Sequence, residues 1–553
     1  MTLQDQFARA VEYHQRGLLA EAERLYREIL RAAPRAFEPR HMLGVVRAQQ
    51  GRNDEALALI GEALQARPGD PQALTNYGNV LAAMGRFGEA VDSHDRALAA
   101  QPAHADALNN RGNALRGLGR MPEALDSYDR ALAAQPGHLE ALNNRGNALQ
   151  ELGRFAEALE SLDRVVALAP SHAEALYNRG NALQALSRYP EALDSYDRAL
   201  ALMPSGGEGH VGVLNNRGQC LQAMRRFEDA LDSFDRAIAA SPDAAEAQVG
   251  KSLCLLLTGR LEDGFRLYEG RKRMGVEARD YPQPLWSGAE SLTGRTLFLY
   301  IEQGLGDTIQ FYRYVALAQE RGARVILSAQ DVLHPLLRSA LPAVELVGYG
   351  AVPARFDYHA PLMSLPLVFG TRLATIPAAI PYLRAEPDRI ARWKAHIGDG
   401  GLRIGIGWEG NRQAVGGAGR AFPLAALASI ARLPGIRLIS LQKGVAVEKL
   451  DLPSGMTVES LGPEFDATGA FLDSAAAMHG LDLVITMDAT LAHLAGALGR
   501  PAWVALKQVP DWRWLLDRED SPWYPGLRLF RQEQDGDWQA PFAAMERQLV
   551  KML

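Results

Sequence analysis

Apolar and small residues in the first half of the chain recur in pairs of amphipathic helical segments. In the stretch from Leu108, LNNRGNALRGLGRMPEALDSYDRALAAQP, Gly112 and Ala124 are small residues at the predicted contact between two antiparallel helices. Tyr128 and Ala131 continue that packing seam, and Pro136 ends the second helix. The pattern therefore predicts helical hairpins that stack on one another.

The hairpins repeat with a fixed period. Prolines lie 34 residues apart at Pro34, Pro68, Pro102, Pro136 and Pro170, and so do glycines at Gly44, Gly78, Gly112, Gly146 and Gly180. This is the period of the tetratricopeptide repeat (TPR), and several residue types recur in register over six or more copies. We predict an all-α TPR superhelix over residues 1–276, with seven clear repeats and a degenerate eighth.

One junction departs from the period. The spacing from Pro204 to Pro242 is 38 residues, because four residues are inserted around SGGEGHVGV. A glycine-rich insertion either redirects the superhelix at this point or forms a longer surface loop, and the sequence favours neither.

Asparagines recur once per repeat on the first helix, and others follow one turn along the same face. They are Asn76, Asn110, Asn144, Asn178 and Asn216, with Asn79, Asn113, Asn147 and Asn181 three residues on. Asparagine is a mediocre helix former, so propensity does not explain the row. Its amide both donates and accepts, which suits it to the backbone of an extended peptide. The alternative is that these side chains brace contacts between repeats.

The pattern changes after residue 276. Residues 277–293 are polar and aperiodic, with prolines, and predict a linker. RTLFLYIEQGLGDTIQFYRYVALAQERGARVILSAQ then predicts a strand, a glycine turn, a helix and a second strand, and a similar order recurs from GLRIGIGWEG onward. We predict two Rossmann-like α/β lobes, at 294–390 and at 391–553, with a closing C-terminal helix. Ligands of such lobes bind at the carboxyl ends of the strands.

Composition narrows the functional classes. The chain is 47% hydrophobic and 22% charged, with a net charge of −6, which argues against a nucleic-acid binder. The two cysteines, Cys220 and Cys254, cannot form a disulfide framework. We find no secretory signal pattern and no apolar run of membrane-spanning length, so we expect a cytoplasmic protein.

Candidate chemistry lies in loops that follow predicted strands. Gly304 and Gly306 allow close approach of a ligand, and Asp307 stands at the start of the next helix, where a carboxylate is more often a cap than a catalyst. Asp488 and His493 occupy a similar strand-to-helix connection in MDATLAHLAGAL.

Two cations, Arg420 and Lys443, lie in loops of the second lobe. These positions suit them to a diphosphate, although most such charges are simply solvated. The chain lacks a P-loop, metal-ligand spacing and a Gly-x-Ser-x-Gly elbow, so we predict no metal site and no serine hydrolase.

Residues 294–553 resemble the bacterial heptosyltransferase-like glycosyltransferases of family 9, in the form fused to TPR arrays. The motifs that carry the resemblance are EQGLGDTIQFYRYV, GIGWEGN, SLQKG, MDATLAHLAGALGRP and PDWRWLLDREDSPWYP. The resemblance implies a GT-B fold, a nucleotide-sugar co-substrate held mainly by the second lobe, and inverting transfer without a required metal or other cofactor.

The resemblance also implies roles for individual residues. Asp307 occupies the position of the general base, which would take the proton of the acceptor hydroxyl. The implied donor-binding residues are Gly304, Gly306, Trp408, Asn411, Arg420, Gln442, Lys443, Asp488, Ala489, Thr490 and His493. Ala489 departs from the family, which usually has threonine there. The segment around Trp512, Arg513 and Trp514 is similar to a family motif on the donor side, and buried core aromatics are an equal alternative.

We therefore expect a protein glycosyltransferase whose repeats present a serine or threonine hydroxyl to the cleft, an arrangement similar to that of the protein O-GlcNAc transferases. Family analogues of this layout glycosylate flagellin, often with nonulosonic acids, which makes flagellin a candidate acceptor. The alternatives are a scaffold whose α/β part has lost activity, and a saccharide-extending enzyme whose repeats recruit partners.

Overall fold

The computed structural model describes residues 2–275, 279–410, 419–443, 449–467 and 469–553. The chain divides into two compact units, Met1–Met224 and Arg225–Leu553, called here the first and the second unit. Among the described residues, no helix combines the length and the apolar character that crossing a membrane requires.

The first unit consists of helical hairpins. Its helices are α1 (Leu3–Gln15), α2 (Leu19–Ala32), α3 (Phe37–Gln49), α4 (Asn53–Ala66), α5 (Pro71–Ala83), α6 (Phe87–Ala100), α7 (Ala105–Gly117), α8 (Met121–Ala134), α9 (Leu139–Glu151), α10 (Phe155–Leu168), α11 (Ala173–Ala185), α12 (Tyr189–Leu202) and α13 (Glu208–Ala223). Each helix packs against the next, so every hairpin covers an apolar face of its neighbour.

The predicted packing seam is present in the hairpins that carry the periodic glycine. A Cβ atom at Gly112 would lie 2.5 Å from the Tyr128 ring, and one at Gly180 would lie 2.4 Å from the Tyr196 ring. Only glycine lets the two helices approach this closely. The glycine period read from the sequence therefore marks the tight contact in the helix pairs from α3–α4 to α11–α12.

An arginine ladder that we did not predict also ties the repeats together. Arg145 on α9 forms a 2.7 Å hydrogen bond to Asp129 on α8 and another to Ser161 on α10. The equivalent contacts join Arg111 to Asp95 and Ser127, and Arg179 to Asp163 and Ser195. Each arginine thus connects three successive helices.

The four-residue insertion is mostly absorbed by one helix. α13 has 16 residues where α11 has 13. It follows a short turn in which Gly206 has a φ of +93°. The insertion therefore extends a repeat helix rather than forming a long loop.

The second unit begins with the last repeat helices, α14 (Phe227–Ala240), α15 (Ala245–Leu257) and α16 (Leu261–Tyr268). The compact units thus divide at 224/225, whereas the repeat pattern of the sequence runs to 276. Phe265 on α16 packs edge-on against Trp512, with the ring centroids 5.5 Å apart. The last repeats are therefore built into the α/β part of the molecule.

The first lobe has a parallel sheet in the order β3-β2-β1-β4. Its strands are β1 (Thr296–Tyr300), β2 (Arg324–Ser328), β3 (Glu345–Val347) and β4 (Tyr358–Pro361), with helices α17 (Leu305–Phe311), α18 (Arg313–Glu320), α19 (His334–Ala340) and α20 (Leu365–Val368). In register, Thr296 lies opposite Arg324, and Leu297 lies opposite Tyr358.

The second lobe has a parallel sheet in the order β6-β5-β7-β8-β9. Its strands are β5 (Leu402–Gly407), β6 (Ile436–Ser440), β7 (Leu483–Met487), β8 (Ala502–Leu506) and β9 (Leu527–Arg531), with helices α21 (Pro387–Ile397), α22 (Ala428–Ala431), α23 (Leu472–Ala477), α24 (Thr490–Ala497) and α25 (Gln539–Val550). The predicted fold class, helical repeats followed by two α/β lobes, is confirmed.

The segment expected to be a linker is packed on the first lobe over its described part. Trp286 is 1% exposed, and its backbone N–H donates to the carbonyl of His359 on β4 over 2.8 Å. Leu285 forms a single parallel bridge with the same residue. Leu292 in the same segment is also 1% exposed. These apolar anchors are isolated among polar residues and form no periodic pattern, which is why the sequence alone predicts a free connection.

Candidate functional site

A cleft of about 350 Å³ lies between the two lobes of the second unit. It opens at the carboxyl ends of β1, β5, β7 and β8, where α/β ligands bind. Of the sequence-predicted residues, it is lined by Gly304, Gly306, Asp307, Arg420, Asp488, Ala489, Thr490 and His493. Asp511 and Arg513, which follow β8, line it as well. The structure thus brings together residues from four separate loops.

Asp307 reaches the cleft from the first turn of α17. Its Oδ2 accepts a 3.0 Å hydrogen bond from the backbone N–H of Gly304, so it does cap the helix. Its Oδ1 is 2.5 Å from Nη2 of Arg513. The side chain also keeps 22% exposure. Asp307 therefore combines the role of a cap with a position on the cleft wall.

Arg513 crosses from the second lobe to the first. Nη1 contacts Asp511 Oδ1 over 2.8 Å, and Nε donates to Gln310 Oε1 on α17 over 2.6 Å. The flanking Trp512 and Trp514 are buried, which agrees with core aromatics. The alternation of buried tryptophans with a charged residue is the signal that singles out Arg513.

Asp488 and Arg420 face each other in the cleft. Arg420 Nε is 3.5 Å from Asp488 Oδ2, and its Nη2 is 3.5 Å from Asp511 Oδ2. Asp488 Oδ2 is buried and makes no hydrogen bond within the described part of the chain. Arg420 Nε is a distant donor to this oxygen, so the arrangement suits a ligand hydroxyl that supplies a closer hydrogen bond.

His493 lies on α24 beside the glycine loop of the first lobe. Its ring stacks on Trp514 at a centroid distance of 5.4 Å, and Nδ1 is 3.0 Å from the Tyr524 hydroxyl. Burial and nearby arginines lower the pKa of His493 to about 3. The ring is therefore neutral at physiological pH, and it offers a hydrogen bond rather than a positive charge.

The three carboxyl groups of the cleft respond differently to their surroundings. Burial raises the pKa of Asp307, although Arg513 opposes the shift. Burial also raises the pKa of Asp488, against the opposing charge of Arg420. For Asp511 burial acts in the same direction, but Arg513 and Arg420 together outweigh it and lower the pKa. Asp307 and Asp488 are thus the more readily protonated pair.

Other predicted donor-binding residues are not among those that line this cleft. Trp408 belongs to the buried core of the second lobe. Gln442 donates from Nε2 to the carbonyl of Glu409 over 2.9 Å, and Lys443 Nζ donates to the carbonyl of Asp466 over 2.7 Å. These side chains fasten loops to one another. Asn411 lies outside the described residues.

In the first unit, the asparagines brace neighbouring repeats. Asn144 Nδ2 donates to Asn109 Oδ1 over 3.0 Å, and Asn178 donates in the same way to Asn143 over 3.2 Å. The same pattern recurs for Asn216 toward Asn181 and for Asn76 toward His41. Asn113 and Asn181 accept from Tyr128 and Tyr196, and Asn110 accepts from Asn109.

This bracing uses part of each amide's capacity. Asn109 and Asn143 are partners that we did not predict, although both stand next to a predicted asparagine in the Asn-Asn pairs of the sequence. The Asn147 side chain makes no hydrogen bond among the described residues, and the residue is half-buried. Asn181, Gln184, Tyr189 and Asn216 line a cavity of about 380 Å³ in the same unit.

The chain matches two models of the tetratricopeptide repeat. One matches residues 7–71, 143–206 and 215–273, and the other matches 69–135 and 103–171. The helical hairpins are tetratricopeptide repeats. TPR proteins bind peptide and protein partners, so this part of the chain is a peptide-binding fold.

The chain is similar to Protein FlbA of Caulobacter vibrioides, with 29% identity over 315 residues, 52% of each protein. It therefore spans about half the length of this curated relative. Among solved structures it is similar to YrrB, described as a TPR protein with an unusual peptide-binding site. The two are 26% identical, over 35% of this chain and 98% of YrrB, with a TM-score of 0.31. A TPR protein of Parabacteroides merdae is 18% identical over 46% of this chain and 98% of its own, with a TM-score of 0.36.

Proposed function

We propose that the chain is a glycosyltransferase that moves a sugar from a nucleotide-sugar donor to a serine or threonine hydroxyl of a protein held by the repeats. The observation that carries the proposal is the convergence of Asp307 with Arg420, Asp488 and His493 in one interlobe cleft. The Asp307 carboxylate of the first lobe thus faces residues of the second lobe that are suited to bind a phosphate and a sugar.

In the proposed step, the acceptor hydroxyl oxygen attacks the anomeric carbon of the donor. The bond from that carbon to the phosphate oxygen breaks, and the nucleotide leaves with the electron pair. Asp307 takes the hydroxyl proton as the new bond forms. Its exposure to the cleft gives a hydroxyl access to this carboxylate.

The donor side would be formed by the second lobe. Arg420 is held at 3.5 Å from two carboxylates, longer than a direct hydrogen bond, so its guanidinium is available to a phosphate. The first backbone N–H groups of α24, from Thr490 onward, also favour an anion. Asp488 Oδ2 could accept from a sugar or ribose hydroxyl.

The acceptor side would be formed by the first unit. Its asparagines retain amide groups beyond those that brace the repeats, and these can bond a peptide backbone with little regard to sequence. Flagellin is a candidate acceptor on the strength of the resemblance alone.

The test is transfer of a labelled sugar to a bound protein, with UDP-, GDP-, dTDP- and CMP-activated sugars offered in turn. Asp307→Asn should lower kcat by at least about a hundredfold, the usual value of a general base. The matched control is Asp331→Asn, because Asp331 is a solvent-exposed carboxylate of the same lobe. Full activity of Asp307→Asn would remove this residue as the base.

Two other functions give different results. A non-catalytic scaffold, to which Ala489 points, should bind none of these donors in calorimetry. A saccharide-extending enzyme should glycosylate a small sugar acceptor as fast as a protein. Arg420→Gln should weaken donor binding if the proposed donor side is correct.

A further inference from the structure

The Arg513 side chain is held by more contacts than the neutralisation of one carboxylate requires. Its Nε, Nη1 and Nη2 each contact a different partner, namely Gln310, Asp511 and Asp307, at 2.6, 2.8 and 2.5 Å. Its guanidinium also lies 4.5 Å from the centroid of the Trp512 ring. The side chain is 8% exposed. These contacts leave the guanidinium one orientation, with Nη2 directed at Asp307.

Two of these contacts converge on one helix. Asp307 and Gln310 lie one turn apart on α17, so Arg513 contacts that helix through two side chains. A lysine could not make both contacts in the same geometry, because its single ammonium group lacks the planar fork of donors.

The proposed function needs Asp307 to be ionised and correctly aimed before the acceptor arrives. Resting on that function, we propose that Arg513 is a positioning residue that holds the Asp307 carboxylate, through Oδ1, in the ionised form that receives the acceptor's proton. Oδ2 stays with the Gly304 N–H, and the exposed part of the carboxylate faces the cleft. Arg513 itself transfers no proton.

The charges around Asp307 predict opposite effects for two neighbours. Arg513 and Arg420 favour the carboxylate, whereas Asp511 and burial favour the neutral acid. His493 is neutral. The Tyr268 phenol, at the end of α16, is protonated because burial raises its pKa. Removing Arg513 should therefore make Asp307 easier to protonate, and removing Asp511 should make it harder.

The experiment compares Arg513→Met, Arg513→Lys and Asp511→Asn with the wild-type full chain. One readout is the acidic limb of kcat/KM against pH for sugar transfer. The other is independent of activity: the pH dependence with which a water-soluble carbodiimide labels the Asp307 peptide, since only the protonated acid reacts. The Asp331 peptide is the internal reference, and thermal unfolding monitors folding.

The expected midpoint for Arg513→Met lies about one to three pH units above that of the wild type in both readouts. For Asp511→Asn it lies below the wild type. Arg513→Lys keeps the charge and should leave the midpoint within about half a pH unit, while loss of the fork lowers kcat about tenfold or more.

Unshifted midpoints in Arg513→Met and Asp511→Asn overturn the proposal, even if both variants transfer slowly. If Arg513→Met does not fold, the Asp511→Asn variant provides the test. A midpoint below that of the wild type then supports the proposal, and an unchanged midpoint overturns it. The variants can shift the labelling midpoint even if the wild-type protein transfers no sugar. That result supports the role of Arg513 and counts against the proposed function. Transfer with unshifted midpoints counts against Arg513 alone.

Discussion

His94 shows how one residue can set the acid stability of a repeat. It packs on Gly78 where Tyr128 packs on Gly112 in the next hairpin. Its ring is fully buried, and neither nitrogen has a hydrogen-bond partner among the described residues. Burial lowers its pKa to about 4. The folded repeat therefore holds a neutral imidazole that unfolding would release to protonation.

We expect the contribution of neutral His94 to the wild-type free energy of unfolding to be fully present above pH 6.5, the ordinary histidine pKa, and to be lost as the pH drops toward 4. The His94 contribution to that loss is about 3 kcal/mol when complete. His94→Tyr should remove it, and urea unfolding at several pH values measures the difference from the wild type. Tyr128→His is the matched control, because the reverse exchange should introduce the same acid sensitivity in a neighbouring repeat. Parallel pH profiles for wild type and His94→Tyr would contradict the assignment.

A second single-residue effect concerns the buried Arg271. It contacts Glu302 and Glu269, each over 2.8 Å, and Ser364 over 2.9 Å. Removing one partner of a buried ion pair strands the remaining charge, so Arg271→Gln should lower the free energy of unfolding by about 3–5 kcal/mol. Calorimetric unfolding of the full chain measures it.

The matched control is Arg273→Gln, because Arg273 is 48% exposed and the carboxylate closest to it among the described residues is 3.7 Å away. Exposed pairs contribute at most about 1 kcal/mol. Equal effects of the two substitutions would show that the Arg271 network adds nothing beyond a surface contact.

The cleft was predictable only where its residues stand beside a strand. Asp307, Asp488 and His493 follow apolar strands in glycine-rich or helical connections, so topology alone places them at one rim. Asp511 lies beyond the end of β8, in a loop that has no glycine signal. Gln442 and Lys443 also follow a strand, yet their side chains turn to neighbouring carbonyls. Rotamer choice of this kind depends on packing that no sequence pattern encodes.

At the scale of elements, turns between paired helices show a recurring backbone requirement. The second residue after each first helix adopts a positive φ, and in most hairpins it is glycine, as at Gly119 and Gly153 with +71°. Ser187 takes the same conformation at +58°. A side chain makes this region unfavourable, because Cβ crowds the following carbonyl.

Ser187→Gly should therefore raise the free energy of unfolding of the full chain by about 1 kcal/mol. The reciprocal change, Gly153→Ala, should lower it by a similar amount. A Cβ at Gly153 meets no atom within 4 Å, so only the backbone conformation is changed. Urea denaturation followed by circular dichroism measures both, and a loss of stability in Ser187→Gly would contradict the argument.

The repeat helices and the parallel strands were predictable because their signals are local. The choice between peptide binding and bracing for the asparagines was not predictable, since whether an amide contacts a peptide or the next repeat depends on the distance between helices. Asn144 and Asn178 show the outcome, because their Nδ2 atoms already serve the preceding repeat. The arginine ladder escaped prediction for the same reason. Arg145 is 16 residues from each of its two partners along the chain, beyond the reach of helical periodicity.

At the scale of the whole molecule, the sequence repeat and the compact units end at different places. The 34-residue pattern describes how helices pair, but it carries no information on what their other faces contact. Phe265 meets Trp512, and Gln303 Nε2 donates to the Tyr268 hydroxyl over 3.0 Å. The last repeats therefore support both the segment that carries Arg513 and the loop that precedes Asp307.

This arrangement predicts where the chain can be divided. Residues 225–553 should fold as a unit with one cooperative thermal transition. Residues 277–553, cut where the repeat pattern ends, should lack that transition, because Trp512 loses its aromatic neighbour and Glu302 is left as a buried charge without Arg271.

The two fragments differ only in residues 225–276, so each serves as the control of the other. Scanning calorimetry and near-ultraviolet circular dichroism distinguish a packed core from a collapsed chain. If 277–553 unfolded at the same temperature as 225–553, the last repeats would be an appendage. Sugar transfer to small acceptors could then be tested on the α/β lobes alone. If only 225–553 is cooperative, the last repeats belong to the unit that forms the cleft. A fragment used to assay the α/β lobes must then include residues 225–276.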